Sequence, residues 1–434
     1  MSSPVSEPRS PFRIANFRAY WVSRLTMTLA QYAMMLIIGW QTYNIARDAG
    51  MSVAGASGQL ALIGLLQFVP LFLLTPFSGL AADRFDRRNL ARLTIVLQLA
   101  CAATLALLTW HEAIELHWLF SVAVVLGVVR AFNGPALSAL APNLVPKAIL
   151  PNAIALSSIA WQSGMIVGPA IGGYFYAIIP ALPYAVAAGL LTISIIALST
   201  IGKVPQPPIP GATRPIGQMI DGLHYVVCNK MVLGAITLDL FAVFLAGATA
   251  LFPVYARDIL KVGETGLAQL AMAPATGAAL TALWFSFRPL KSNVGPKMLV
   301  SVAVFGFATV IFGLSTWMPL SLAMLFIVGA ADMFSVYIRQ SLIQLHTPDD
   351  KRGRVSSVSL LTISASNEFG DFFSGTLAWL IGPVLAVVSG GIGAIITVAL
   401  WAKIFPVLRT TRTFDPPEEL DDHTPEEKLQ EHIP

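Results

Sequence analysis

Apolar residues run through this chain in stretches of about twenty or slightly more, the length that a bilayer core demands of a helix. Short polar breaks separate them, and the stretches fall near 17–46, 58–82, 90–110, 117–141, 152–176, 183–202, 230–256, 267–287, 296–316, 319–345, 355–380 and 384–406. The pattern predicts an all-α, polytopic membrane protein of 12 transmembrane helices. Glycine and proline inside the runs do not oppose this, because transmembrane helices tolerate both.

The longest break begins KVPQPPIPGATRP and follows the sixth span. A proline-rich linker there divides the chain into two similar halves, the layout of a two-bundle transporter with a central cavity between pseudo-symmetric six-helix bundles. The expected organisation is a cytoplasmic tail over 1–16, one bundle over 17–202, a linker over 203–229, a second bundle over 230–406 and a tail over 407–434. Within the linker, IGQMIDGLHYVV has the pattern of a short amphipathic helix at a membrane surface. The tail from Asp415 is acidic and proline-bearing, and is expected to be disordered.

Charge sets the orientation. Lys and Arg gather in the N-terminal tail (Arg9, Arg13, Arg18), in the 83–92 loop, in the 288–297 loop, at Lys351, Arg352 and Arg354, and at Lys403, Arg409 and Arg412. The alternate loops hold only Arg47, Arg257 and Lys261. By the positive-inside rule both termini are expected in the cytoplasm, which requires an even number of spans.

Composition narrows the class further. Charged residues make up 12% of the chain and hydrophobic ones 56%, against roughly 25% and 45–50% in soluble domains. The net charge of +4 is spread over interhelical clusters rather than one patch, so no nucleic-acid partner is expected. Cys101 and Cys228 stand alone, and the six histidines form no metal-ligand array. No Ser-centred elbow or P-loop stands out, so no enzyme and no metal site are expected. No cleavable signal segment is expected either, the first apolar run being too long for one.

The most specific motif is GLAADRFDRR, a tight turn carrying one acid and several arginines where two helices meet the cytosol. Here the chain resembles the major facilitator superfamily, whose signature loop reads G-x-x-x-D-R-x-G-R-R/K. Gly79, Asp83, Arg84, Arg87 and Arg88 match it, and Asp86 stands where the pattern has glycine. The resemblance implies a conformational latch between the halves. The matching second-half loop, RPLKSNVGPK, keeps only Gly295 and Lys297. A second motif, GMIVGPAIGGY, places Gly164, Gly168, Pro169, Gly172 and Gly173 in span five. Small residues four apart allow close helix approach, and the segment resembles the antiporter motif of facilitator-type exporters, with Ala155 where an outer glycine is expected. Arg130 in RAFNG resembles an exporter motif whose arginine is linked to proton handling. Over nearly its whole length the chain resembles the transmembrane secretion effector branch, with NFRAYWVSR, PALSALAPNLVPKAILPNAIAL and TPDDKRGRVSSV as matching stretches.

Charged residues inside a membrane are expensive and default to functional candidates. Span one carries Arg24 and Gln31 seven apart, on one face. Span seven carries Asp239, span ten Asp332 and Arg339, and span eleven Asn367, Glu368 and Asp371. Asp239, Glu368, Asp371, Asp332 and Arg130 are candidates for proton coupling. Asp239 comes first because no base shares its segment, and Asp332 is alternatively locked to Arg339 or to polar groups of span eleven. Arg24, Gln31, Arg339 and Asn367 are substrate-binding candidates, with Arg24 and Arg130 suited to an anionic ligand or to balancing acidic partners. The expected function is that of a monomeric, proton-driven exporter of a small to medium amphipathic molecule in a bacterial-type inner membrane. It needs no cofactor beyond the gradient. Siderophore efflux, drug efflux and lysolipid translocation remain open, as does a transport-inactive sensor or scaffold.

Overall fold

A computed structural model describes residues 10–202, 215–288, 290, 292–348 and 351–414. The residues of the two expected tails beyond these limits, and most of the proline-rich linker, lie outside the described residues. Within them every expected span is helical, displaced by only a few residues at its ends, except that the seventh breaks at Ala246–Ala248 and is completed by short helical turns up to Ile259. The helices are α1 (Ala15–Asp48), α2 (Val53–Arg84), α3 (Arg87–Trp110), α4 (Leu116–Leu140), α5 (Leu150–Ile178) and α6 (Leu182–Thr200). After the linker helix α7 (Pro215–Cys228) come α8 (Lys230–Leu245), the single turn α9 (Phe252–Val254) and a π-helical turn over Tyr255–Ile259. The remainder are α10 (Gly263–Phe287), α11 (Val294–Leu314), α12 (Met318–Leu345), α13 (Arg352–Ile381), α14 (Pro383–Ile404) and α15 (Pro406–Thr410).

Polar residues in the breaks start several of these helices. Ser52 Oγ accepts from Gly55 N at α2, Asp86 from Arg88 N at α3, and Asn229 from Met231 N and Val232 N at α8. Each satisfies an orphan donor of a first turn, worth about 1 kcal/mol.

Among the described residues eleven helical segments are long and apolar enough to cross a membrane, with α8 through the π turn counted as one. The twelfth expected span, α13, has 30 residues, but only Phe369–Ile381 is apolar. Its first half carries Ser, Thr, Asn and Glu because it is an inner helix, packed on α2, α7 and α8. A helix so placed meets neighbours rather than lipid, and its polarity follows from that.

The helix end holding Ala15 and Ile404 is termed the near end, the other the far end. In the first half α1 packs on α5 and α6, and α2 on α4. In the second, α10 packs on α12, and α11 on α12 and α14. Across the halves α2 meets α13 and α5 meets α10. These crossings lie towards the far end, where Gly64 abuts Phe372, Gly375 abuts Ala61 and Gly58 abuts Trp379. One apolar cluster there is built by both halves, with Trp40, Tyr43 and Leu60 against Phe252, Tyr255 and Phe312. The far end is closed.

Helix α7 does not stand apart from the bundle. Tyr225 Oη donates to the carbonyl of His346 (2.8 Å), Lys351 Nζ lies 5.1 Å over the Tyr225 ring, and Arg354 pairs with Asp221 at 3.7 Å. Its Leu223 and Val227 are exposed and its Val226 is buried, an amphipathic arrangement docked against α13.

Candidate functional site

The charged side chains of the membrane interior separate by half. On α1, Arg24 sits nine residues inside the near end. Its Nη1 donates to Tyr20 Oη (3.1 Å), its guanidinium lies 5.9 Å from the Trp161 ring, and its buried Nε has no hydrogen-bond partner. Trp161 in turn meets the edge of Tyr32. One turn or more further along the same face, Gln31 lines a small cavity with Gln67, Gln98 and Arg130. Arg130 Nη1 donates to Gln67 Oε1 at 3.4 Å, and Gln98 Oε1 is buried there without a partner. The structure therefore brings Gln31 to Arg130 and sets Arg24 against an aromatic pair. Gln67 and Gln98 were not singled out in the sequence, where a lone glutamine in an apolar run gives no signal of its neighbours.

In the second half, Asp239 of α8 forms a salt bridge with Arg339 of α12, both almost fully buried (side chains 7% and 3% exposed). The base that the segment of Asp239 lacks is supplied by another helix, and the lock expected between Arg339 and Asp332 or polar groups of span eleven is, for Arg339, made with Asp239. Asp332 and Ser335, one helical turn apart, line a small cavity together with Asp239, Val243 and Phe305. Two carboxylates and one guanidinium thus share one interior site. On α13, Asp371 accepts from Thr249 Oγ1 at 3.0 Å, and Asn367 is exposed. The side chain of Glu368 lies outside the described residues. Next to Glu368 in the chain, Phe369 is stacked on Phe244 of α8 and tilted against Phe68 of α2.

The latch motif is partly described. Gly79, Asp83 and Arg84 belong to the last turns of α2, but their side chains lie outside the described residues. Asp86, the departure from glycine, has a structural reason: it caps α3 and takes Arg88 Nε and Nη2 at 3.1 and 2.7 Å. Arg88 Nη1 also donates to the carbonyl of Ile201 (2.9 Å), tying α3 to the end of α6. The Arg88 hydrogen bond holds the Asp86 carboxyl below its usual range. The second-half loop is used differently. Gly295 N donates to the carbonyl of Thr411, and Arg412 Nη1 donates to Asn293 Oδ1 (2.6 Å), so this loop fastens the segment after α15.

The antiporter glycines divide into two sets. Gly164, Gly168 and Gly172 face Thr28, Tyr32 and Ala33 on α1, and a methyl group at any of them would strike that helix. Gly173 faces the other half, where Ala268 and the carbonyl of Glu264 on α10 leave no room for a Cβ. Spacing alone gives the first face. The second comes from the extra glycine one residue on, about 100° around the helix.

A further cluster lies at the far end. Arg47 bonds Asp258 through Nη2–Oδ1 (3.0 Å) and Nε–Oδ2 (3.3 Å), and Tyr43 Oη donates to Asp258 Oδ2. Arg257 Nη1 donates to Asn44 Oδ1 and its Nη2 to Asp48 Oδ1, both at 2.6 Å. Sequence reasoning had counted Arg47 and Arg257 only as loop charges.

The bundle has solved counterparts. Over 95% of its length the chain superposes on the whole of a bacterial homolog of the human lysosomal transporter Spinster, captured inward-facing and unoccupied, with TM-score 0.69 and 16% identity. Over 90% of its length it superposes on 98% of a D-xylose–proton symporter, with TM-score 0.71 and 12% identity. The fold is that of the major facilitator transporters, and the chain is a multi-pass membrane transporter rather than an enzyme. The transmembrane secretion effector family profile matches residues 6–433, and the chain belongs to that family. Among its relatives, enterobactin exporters of Escherichia coli O1:K1 and Shigella boydii serotype 18 are 25% identical over 408 and 406 residues, covering 93% of this chain and 94% of theirs.

Proposed function

We propose that the chain is a proton-coupled exporter that carries a small, anionic, amphipathic molecule out of the cytoplasm by alternating access. The observation that carries this reading is the interior site shared by Asp239, Asp332 and Arg339. Two carboxylates around one guanidinium in a low-dielectric site reach charge balance by taking up one proton. Such a group biases which arrangement of the halves is favoured as it gains and loses that proton. The gradient is then the only energy source required, and no cofactor takes part.

The cargo side rests on the first half. Arg24 presents a guanidinium beside Trp161 and Tyr32, and Arg130 lines the glutamine cavity above it. A planar cation beside aromatic rings, as at Arg24, suits a carboxylate or catecholate on an apolar body. The enterobactin exporters among the relatives favour a siderophore-sized cargo. The distribution of Lys and Arg favours a near end in the cytoplasm of a bacterial-type inner membrane, so the closed far end corresponds to an inward-facing monomer.

Mass spectrometry of culture supernatants and cell extracts from a deletion strain and its parent, under iron-starved and iron-replete growth, tests the reading. The expected result is one anionic compound depleted outside, accumulated inside and restored by the wild-type gene but not by Asp239→Asn. Exometabolites identical in the two strains would refute siderophore export.

A further inference from the structure

The far-end cluster has a symmetry that neither the motifs nor the relatives point to. The first helix of the first half ends Ala46-Arg47-Asp48, and the seventh span ends its π turn with Ala256-Arg257-Asp258. The two tripeptides occupy equivalent places in the two halves, at the far end of each half's first span. Both alanines are fully buried. Both arginines reach across the interface to the other tripeptide's aspartate: Arg47 to Asp258, and Arg257 to Asp48. The contact is self-complementary in the manner of a two-fold interface, with residue i meeting j and j meeting i.

Local structure explains the aim of these side chains. On α1, Tyr43, Asn44, Arg47 and Asp48 lie one turn apart in two adjacent pairs, so all four share the face that meets the seventh span. On the other side the wider π turn sets Arg257 and Asp258 together towards α1, and such turns recur at functional positions. Tyr43 and Asn44 complete the set by holding Asp258 and Arg257. Beneath them lies the apolar cluster shared by both halves.

We infer that the two Ala-Arg-Asp segments form the outer gate of the transport cycle, a crossed pair of ion bridges that holds the far end shut and must break before cargo leaves. Separation of the halves at this end exposes all four charges at once. The bridges are partly exposed, with Asp48 at 70% and the other three side chains between 22% and 29%, so water stabilises the open state and the gate stays reversible. A tie this wet is screened by salt. The inference rests on the alternating-access fold and not on the identity of cargo or coupling ion.

Spin labels at Ala113→Cys and Thr316→Cys, on exposed far-end loops of the two halves, in a Cys228→Ser background, report the separation of the halves by pulsed electron resonance. The full chain is used, in lipid nanodiscs without cargo. The gate predicts one short-distance population in the parent. With Asp258→Asn, a longer one rises about fivefold or more relative to the closed population, the lower bound of ordinary coupling between states. The milder Asp48→Asn moves the same way by less. The double swap Arg47→Asp with Asp258→Arg keeps both crossed pairs, with the signs segregated by helix, and restores the parent distribution. Should Asp258→Asn fail to give monodisperse protein, Asp48→Asn and the swap decide. Distances unchanged in the folded single variants, or a swap that does not restore closure, would overturn the gate and leave the bridges as a static tie.

Discussion

The two halves of this transporter share a fold and differ in what they place inside the membrane. In the interiors of α1–α6 the charged side chains are Arg24 and Arg130, with no carboxylate among them. In the interiors of α8–α14 they are Asp239, Asp332, Glu368 and Asp371, with Arg339 as the base. Pseudo-symmetric bundles built to one packing plan have therefore been given different electrostatics, one with guanidinium groups alone in its interior and the other with mostly carboxylates. A packing plan constrains glycines and apolar faces, whereas it leaves a few interior polar positions free, and the chemistry lives in those.

The difference is broken most severely at Arg339. Removing it as Arg339→Leu strands a buried carboxylate, and loss of one partner of a buried pair costs about 3–5 kcal/mol. We expect a large fall in thermal unfolding temperature in detergent, with most of it recovered in Arg339→Leu/Asp239→Leu, where both charges are gone. If the double variant is no better than the single, the pair is not the reason for the loss.

Arg24 comes next. If the cargo is the anion proposed, Arg24→Gln should lower its export about tenfold or more, the scale of one charge-assisted hydrogen bond. Arg24→Lys keeps the charge but loses the guanidinium that lies 5.9 Å from the Trp161 ring, and should fall between the two. Full flux with lysine would show that Arg24 acts only as a point charge.

A third test sets two glycines of one motif against each other. Gly168→Ala presses on α1 inside the first half and should cost about 1–3 kcal/mol of unfolding stability through overpacking. Gly173→Ala presses on α10 across the halves, so it should leave unfolding nearly unchanged but open the far end and slow export. Equal effects on unfolding would refute the division of the motif into an intra-half and an inter-half face.

The smallest effect is expected at Asp86. Its folded pKa lies below the ordinary value of 3.8, chiefly through the Arg88 hydrogen bond. Its contribution to stability is therefore present above that value and lost as pH falls through the folded pKa. Asp86→Asn keeps the cap but not the charge, so a deficit of about 2 °C at pH 7 should shrink and vanish as pH falls through the depressed Asp86 pKa.

Much of this was legible in the chain. Each span could be read because lipid demands about twenty apolar residues and short polar loops punctuate them. The span expected over 355–380 is helix α13, although only its Phe369–Ile381 part is apolar. Pairings were not legible. Asp239 was ranked first for want of a base on its own segment, but Arg339 arrives from a helix some hundred residues away, and no periodicity encodes which face of α12 meets α8. Gln67 and Gln98 were missed for the same reason. The far-end bridges were missed differently. The tripeptide Ala-Arg-Asp stands twice in the sequence, and comparing the two halves for internal repeats would have exposed it.

The central claim is that the carboxylates of the second half carry the coupling proton. The most direct measurement is efflux of the compound found by exometabolite comparison, from proteoliposomes with and without an acidic exterior. Wild-type efflux should quicken with external acid, whereas Asp239→Asn and Asp332→Asn should still exchange the compound at equal pH but no longer respond to the gradient. Undiminished acceleration in both variants would contradict the account.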